Sequence, residues 1–259
     1  MIMTEEEVGG IDVLGWNERS NMETIDFNQF PRTDFLFNDG GLPKTVVKRQ
    51  LLTRDELASV LAGPLIVEEK CDGSNTGLSF DDDGVLRFQG KTRYLGSHTH
   101  PQHHMLFNWG WEIRDALWEA LGPGRTVYGE WMYAKHTLRY DALPHWFVGF
   151  DVYERPTPEE PDGWFWTADA RNELLSSLGI ATVPRVCVGS FRTLEDLMAK
   201  AEGPSAFGAP TKEGIYLRLE SGGRLSIRAK YVRPEFRKEH EESDRWSRTR
   251  VRETNGIST

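Results

Sequence analysis

Residues 65–73 read Leu-Ile-Val-Glu-Glu-Lys-Cys-Asp-Gly. The apolar run Leu65-Ile66-Val67 reads as a buried strand, and it carries Lys70 toward the interior between Glu69 and Asp72. A buried ammonium is costly unless opposite charge and hydrogen bonds meet it. A lysine at that place needs a reason. Other segments share the design. Thr-Val-Tyr-Gly-Glu-Trp-Met, 126–132, sets Glu130 after Gly129; Trp-Phe-Val-Gly-Phe-Asp-Val-Tyr, 146–153, holds Phe150 and Asp151; and Glu213 opens Gly214-Ile215-Tyr216. In Leu-Ser-Ile-Arg-Ala-Lys-Tyr, 225–231, alternation sends Arg228 and Lys230 to one face.

The rest of the chain supplies elements around those strands. Thr53-Arg54-Asp55-Glu56 is a capping box, opening a helix that stops at Gly63-Pro64. Strands are expected over 65–70, 76–80 and 85–90, the last two joined at Asp81-Asp82-Asp83-Gly84. Leu106, Ile113, Leu117 and Leu121 recur at near-helical spacing and predict one amphipathic helix over 102–121. Further strands fall at 126–132 and 146–153, and helices near 167–178 and 193–201. A hairpin pairs 214–219 with 224–231 and turns at Ser221-Gly222-Gly223. The expected architecture is α+β, with mostly antiparallel sheets flanked by helices. It divides into an N-terminal extension, 1–43, a central domain, 44–232, and a basic, helical C-terminal tail, 233–259.

Composition narrows the function. Two cysteines, Cys71 and Cys187, make no disulfide framework, which places the chain in a reducing compartment, the cytoplasm. The acidic start lacks the order of a signal peptide, and no apolar run reaches the length of a membrane span, so no membrane is expected as a partner. A net charge of −9 argues against a general nucleic-acid coat protein. The charge is uneven, however. Residues 1–26 hold seven acids and one base, whereas 224–259 hold ten Lys or Arg against six Asp or Glu. A polyanion would meet the second patch, with Arg233, Arg237, Lys238, Arg245 and Arg248, rather than the whole surface.

Five motifs then fall in order: Lys-x-Asp-Gly at 70–73, Tyr-Gly-Glu at 128–130, Phe-Asp-Val at 150–152, Glu-Gly-Ile-Tyr at 213–216 and Arg-x-Lys at 228–230. The first alone is common by chance; the ordered set is specific. It resembles the covalent nucleotidyltransferase superfamily of polynucleotide ligases and capping enzymes, and is most similar to the ATP-dependent RNA ligase family. Val-Arg-Pro-Glu-Phe, 232–236, extends the likeness. The resemblance implies an adenylyltransferase domain that holds ATP between two sheets, with Mg²⁺ or Mn²⁺, and is adenylylated on Lys70. It also assigns roles. Glu69, Asp72 and Gly73 adjoin the nucleophile and position the nucleotide, and Arg93 contacts the nucleotide or the 5′-phosphate strand. Glu130 binds the ribose or metal, Phe150 stacks on adenine, and Glu213 holds the metal. Arg228 and Lys230 neutralise the α-phosphate and leaving pyrophosphate. Arg228 stands where the commoner pattern has lysine; charge is kept, but a group able to lose its proton is removed.

These residue types suit that chemistry. Lysine attacks phosphorus only as the free amine, and with a pKa of about 10.4 only about one in a few thousand is neutral at pH 7. Burial and nearby cations favour the amine, whereas Glu69 and Asp72 alone oppose it, so a divalent cation and basic neighbours are needed. Cys71 reads as a small packing residue. His98, His100, His103 and His104 have tempting zinc spacing, but no cysteine is near and the segment abuts a helix start. They read as a solvated helix N-terminus or a substrate-phosphate contact.

Only 29 residues follow Lys230, too few for a C-terminal OB-fold, which favours a minimal RNA ligase over DNA ligases and capping enzymes. The expected reaction has three steps. Lys70 takes AMP from ATP, AMP passes to an RNA 5′-phosphate, and an RNA 3′-hydroxyl attacks and releases AMP. Two alternatives stay open: an adenylylating nucleotide-binding module that serves a partner in an RNA-repair complex, and a minimal DNA nick ligase with a separate DNA-binding partner.

Overall fold

The computed structural model describes residues 29–38, 42, 50–96, 99–237 and 253–258. Two sheets face each other across the site. Sheet A has the order β1 (Asp34–Phe35), β11 (Arg224–Val232), β10 (Gly214–Ser221), β2 (Leu65–Lys70) and β9 (Arg185–Gly189). Sheet B has the order β4 (Leu86–Gln89), β3 (Ser74–Phe80), β5 (Arg125–Trp131), β6 (Phe147–Glu154) and β7 (Trp164–Phe165), with β8 (Ala181–Thr182) against β6. Pairing is antiparallel except β1 with β11 and β8 with β6.

Alternation decides which face of sheet A is apolar. Leu65, Val67, Ile215, Leu217, Ala229 and Tyr231 share a core with Val60 of α1 (Arg54–Ala62) and Leu197 of α5 (Leu194–Met198). α1 opens on the expected capping box: the Thr53 hydroxyl accepts from the Glu56 N–H at 3.2 Å, and the Glu56 carboxylate accepts from the Thr53 N–H at 2.8 Å. The opposite face of the same strands then carries Glu68, Lys70, Tyr216, Arg218, Arg228 and Lys230. Sheet A thus turns its apolar face to helices and its charged face to sheet B.

Sheet B packs Leu78, Phe80, Val127, Trp131 and Phe147 against Leu106 of α2 (His104–Glu112) and Leu117 of α3 (Arg114–Leu121). The single helix expected over 102–121 is therefore two. Ile113, at φ −100° and ψ 9°, leaves helical geometry between them. The apolar spacing suggested continuity because both helices cover one core. α4 (Ala168–Ser177) adds Leu175 to that core.

β1, β7, β8 and β9 are additional to the strands the sequence predicts; they have two, two, two and five residues, too short to show a period. β1 lies in the stretch read as an N-terminal extension, yet it is an edge strand of sheet A. Residues 234–237 are helical. The rest of the stretch expected to be helical, with Lys238, Arg245 and Arg248, lies outside the described residues, as do residues 1–28 and His98. Arg233 pairs with Glu235 at 2.5 Å, and Arg237 donates to the Val232 carbonyl at 2.7 Å, so both are engaged within the fold. Residues 253–258 pack on the β5–β6 loop. Among the described residues, no helix is long and apolar enough to cross a membrane.

Candidate active site

A cleft of about 580 Å³ lies between the sheets. Small-ligand sites commonly measure roughly 300–1,000 Å³. Glu69, Lys70, Gly73, Glu130, Phe150 and Lys230 all line it, although they come from both sheets. Glu213 joins through Lys70: its Oε2 is 2.5 Å from Lys70 Nζ. The register explains the pair, because Gly214 sits opposite Lys70 in the β10–β2 ladder. A Cβ at Gly214 would stand 2.0 Å from the Tyr231 carbonyl oxygen, so glycine lets the strands close beside Glu213. Gly73 has a like reason. Its Cβ would meet the Trp131 carbonyl oxygen at 2.7 Å, and the close approach lets its N–H donate to Glu130 Oε1 at 3.1 Å.

The charges perturb one another. Burial alone would favour the Lys70 amine, but Glu213, Glu130 and Asp72 outweigh it and hold its pKa above the ordinary value. Among protein groups alone, Lys70 is an ammonium. Burial, with Glu213 and Asp72, pushes Glu130 up to about 8 against the pull of Lys70. Burial and the charges of Lys70 and Lys91 bring Lys230 down to about 8, against Glu213 and Asp34. The Lys230 ammonium lies 4.5 Å from the centre of the Phe35 ring.

The acids beside the nucleophile are braced differently. Asp72 is buried and does not line the cleft; its Oδ2 accepts from the N–H groups of Thr137 at 2.7 Å and Leu138 at 3.0 Å. Burial and Glu213 raise its pKa, with Lys70 and those amides opposing. Glu69 is buried too, and its Oε2 accepts from the Ala206 N–H at 3.0 Å. Burial raises its pKa, which hydrogen bonds from Ser205 and Ala206 moderate.

Phe150 owes its place to a bulge. Tyr128 faces Asp151 across the β5–β6 ladder, but Gly129 faces Gly149, leaving Phe150 as the extra residue. Two consecutive side chains can then turn toward sheet A. The Phe150 ring lines the cleft, and the Asp151 carboxylate pairs with Arg218. The Phe150 carbonyl accepts from Arg171, and from Arg218 at 3.4 Å. Arg171 also holds Glu68 at 2.5 Å, and both arginines are fully buried.

Besides Asp72 and Glu213, two more expected residues stand off the cleft. Arg228 lies 4.3 Å from the centre of the Phe165 ring and 3.6 Å from Asp151, and donates to the Pro31 carbonyl at 2.8 Å. Arg93 is exposed on its turn, whereas Lys91 of the same turn lines the cleft. Sequence reasoning missed Lys91, and also Phe30, Arg32, Thr33 and Gln50, which line the cleft from a stretch with no periodic signal. It missed Arg171 and Arg218 as well. Arg218 had a signal: it alternates with apolar Leu217 and Leu219 and shares its face with Tyr216.

His103 is buried, with Nε2 3.5 Å from the Ser74 hydroxyl; burial, with the charges of His100 and His104, brings it down to about 4. Among the described residues, no three or more His, Cys, Asp or Glu are gathered as a metal-ligand set. Glu130 and Glu213 fit Mg²⁺ or Mn²⁺ in another way. Such ions commonly take one or two carboxylates and complete their shell with substrate phosphates and water.

Fold and site together define a two-sheet protein with a partly buried lysine and several acids and bases gathered in the cleft between the sheets. A family model described as RNA ligase matches residues 63–232, more than half of the chain. The chain belongs to the RNA ligase family. Its fold is similar to that of a Naegleria gruberi RNA ligase mutant with ATP and Mn, at a TM-score of 0.52 and 18% identity over 72% of this chain. The N. gruberi RNA ligase with PPi gives 0.54 and 17% over 82%. The chain spans 55% and 62% of those two proteins, less than two thirds of either. No curated protein matches the sequence.

Proposed function

We propose that this protein is an ATP-dependent RNA ligase whose adenylyltransferase domain forms a lysine–AMP intermediate on Lys70, passes AMP to an RNA 5′-phosphate, and seals that end to a 3′-hydroxyl. The observation that carries the reading is one cleft that holds Lys70, Glu130, Lys230 and the Phe150 ring, with Glu213 2.5 Å from the Lys70 amine. The N. gruberi relative with ATP and Mn supports a nucleotide and a divalent ion as ligands.

In the first step, Lys70 acts as the free amine, its proton passing to solvent; a divalent ion held by Glu130 and Glu213 would supply the positive charge that favours that form. The Nζ lone pair then attacks the α-phosphorus. An N–P bond forms, the P–O bond to the β-phosphate breaks, and pyrophosphate leaves with that electron pair. Charge builds on the phosphoryl oxygens, and Lys230, with Lys91 at the mouth, faces them. Arg228 adds its charge from the side, held by Asp151. Phe150 offers a wall on which adenine stacks. Glu130 and Glu213 would hold Mg²⁺ or Mn²⁺, which supplies positive charge at the phosphates. Asp72, Gly73 and Glu69 fix the turn that carries the nucleophile.

The test incubates the protein with ATP, Mn²⁺ and a nicked duplex bearing a 5′-phosphate, with either an RNA or a DNA 3′-hydroxyl end. Sealing of the RNA end is expected. Adenylylation of the protein without sealing would transfer the reading to a module of an RNA-repair assembly. Equal sealing of the DNA end would make it a DNA nick ligase, because the 2′-hydroxyl would carry no weight.

A further inference from the structure

The β5–β6 loop, residues 132–146, holds the turn behind Lys70, and residues 253–258 hold the loop. Asp72 is bound to the loop three times. Its Oδ2 accepts from the Thr137 and Leu138 N–H groups at 2.7 and 3.0 Å, and its own N–H donates to the Tyr140 hydroxyl at 3.0 Å. The C-terminal segment clasps the backbone of Tyr140 on both sides. The Tyr140 N–H donates to Asn255 Oδ1 at 3.0 Å, and the Gly256 N–H donates to the Tyr140 carbonyl at 2.8 Å.

Asn255 is the centre of this clasp. Its Nδ2 donates to the Met132 carbonyl at 2.7 Å and to the Ala134 carbonyl at 3.4 Å. Its N–H donates to the Tyr133 carbonyl at 3.0 Å, and its carbonyl accepts from the Trp146 indole at 3.3 Å. Asn255 is 3% exposed and Tyr140 is fully buried. The loop contributes only isolated bridges, so its buried backbone groups depend on such partners. All these bonds go to the loop and none to the ladders of either sheet. Their loss would free the loop while leaving the sheets paired.

We infer that Asn255 is a positioning residue for the chemistry at Lys70, acting through Tyr140 and Asp72. The inference rests on Lys70 being the nucleophile proposed above. Asp72 does not line the cleft, and of the loop only His136 does, so the clasp acts on the aim of the nucleophile more than on the grip on ATP. Loss of the clasp therefore lowers the rate at saturating ATP and leaves KM for ATP nearly unchanged.

The experiment compares wild type with Asn255→Ala and Gly256→Ala. The second is the milder variant, since its added Cβ would meet the Asp141 carbonyl oxygen at 3.2 Å and nudge the clasp without removing a hydrogen bond. Amide hydrogen exchange is read first, without ATP. In Asn255→Ala, the Asp72, Thr137 and Leu138 amides should exchange at least about tenfold faster while the ladder amides of Val127 and Val152 keep their protection. Self-adenylylation should slow about tenfold at saturating ATP, with KM changed by less than about twofold. Gly256→Ala should shift both readouts in the same directions by less, and it decides the matter if Asn255→Ala does not fold. Unchanged exchange at Thr137 and Leu138 overturns the clasp. A variant with lost protection but wild-type rate, or with raised KM and unchanged rate, overturns the positioning role. If wild type itself takes no label, the assignment of Lys70 falls, and the exchange result alone then decides whether residues 253–258 hold the Asp72 loop.

Discussion

Two charge clusters lie between the sheets, and they are built differently. At the back of the cleft, Arg171 is matched to Glu68, which still lines it, and Arg218 to Asp151, and both guanidiniums also meet the Phe150 carbonyl. At the cleft, Lys70 faces three acids, and Lys230 faces two cations, Lys70 and Lys91, as well as two acids, Glu213 and Asp34. Arginine keeps its charge under any physiological condition and fits a carboxylate with two parallel bonds. Lysine is a compact charge whose pKa moves with its surroundings. The rear cluster therefore fixes the sheets and Phe150, whereas the front one leaves proton positions adjustable. A buried charge with all its partners marks architecture here; a buried charge in conflict with its neighbours marks chemistry.

Changing one residue at a time can break that contrast. The largest effect is expected at the front. Lys230→Ala should slow self-adenylylation by roughly 10²–10³-fold, the usual cost of losing a fixed charge at a developing oxyanion. Thermal unfolding should show a folded protein. If the rate falls less than tenfold, Lys230 is not at the phosphates.

Next comes the rear cluster. Arg171→Met leaves Glu68 buried without its partner and should cost about 3–5 kcal/mol of stability in denaturant unfolding. The double variant Glu68→Leu with Arg171→Met should recover most of that loss, since replacing both members of a buried pair is often neutral or stabilising by about 1–4 kcal/mol. No recovery would mean that Arg171 acts through the Phe150 carbonyl more than through Glu68.

The smallest effect is on pH dependence. Glu130 holds its proton up to about 8 in the folded chain, against about 4.3 when unfolded. Between these values the folded state binds more protons, so stability falls as pH rises. Glu130→Gln keeps an acceptor for the Gly73 N–H and should flatten that fall, raising the melting temperature at pH 8 relative to wild type by a few degrees. Asp72 and Glu69, also raised, leave part of the slope in place. Identical pH profiles for the two proteins would show that Glu130 ionises normally.

The contrast also separates what the sequence could show from what it could not. Leu65-Ile66-Val67 and the alternating 225–231 are short-range patterns, and both strands form where they were expected. Lys70, Glu130, Glu213 and Lys230 stood beside glycines or in alternation, and the structure brings them together. The β6 bulge was hidden, because one extra residue changes no local pattern until β5 pairs beside it. Arg171 was hidden among Asp169, Asn172 and Glu173, which read as a solvated helix face. Asn255 was hidden most completely, since its partners are more than a hundred residues away and nothing in its neighbours is periodic.

The most direct measurement is incubation with ATP labelled at the α-phosphate and a divalent ion, followed by denaturation, on wild type and on Lys70→Ala. If Lys70 is the nucleophile, label stays on the wild-type protein alone and is removed by acid, which cleaves phosphoramidates. Label of equal intensity on Lys70→Ala, or acid-stable label on wild type, would contradict it.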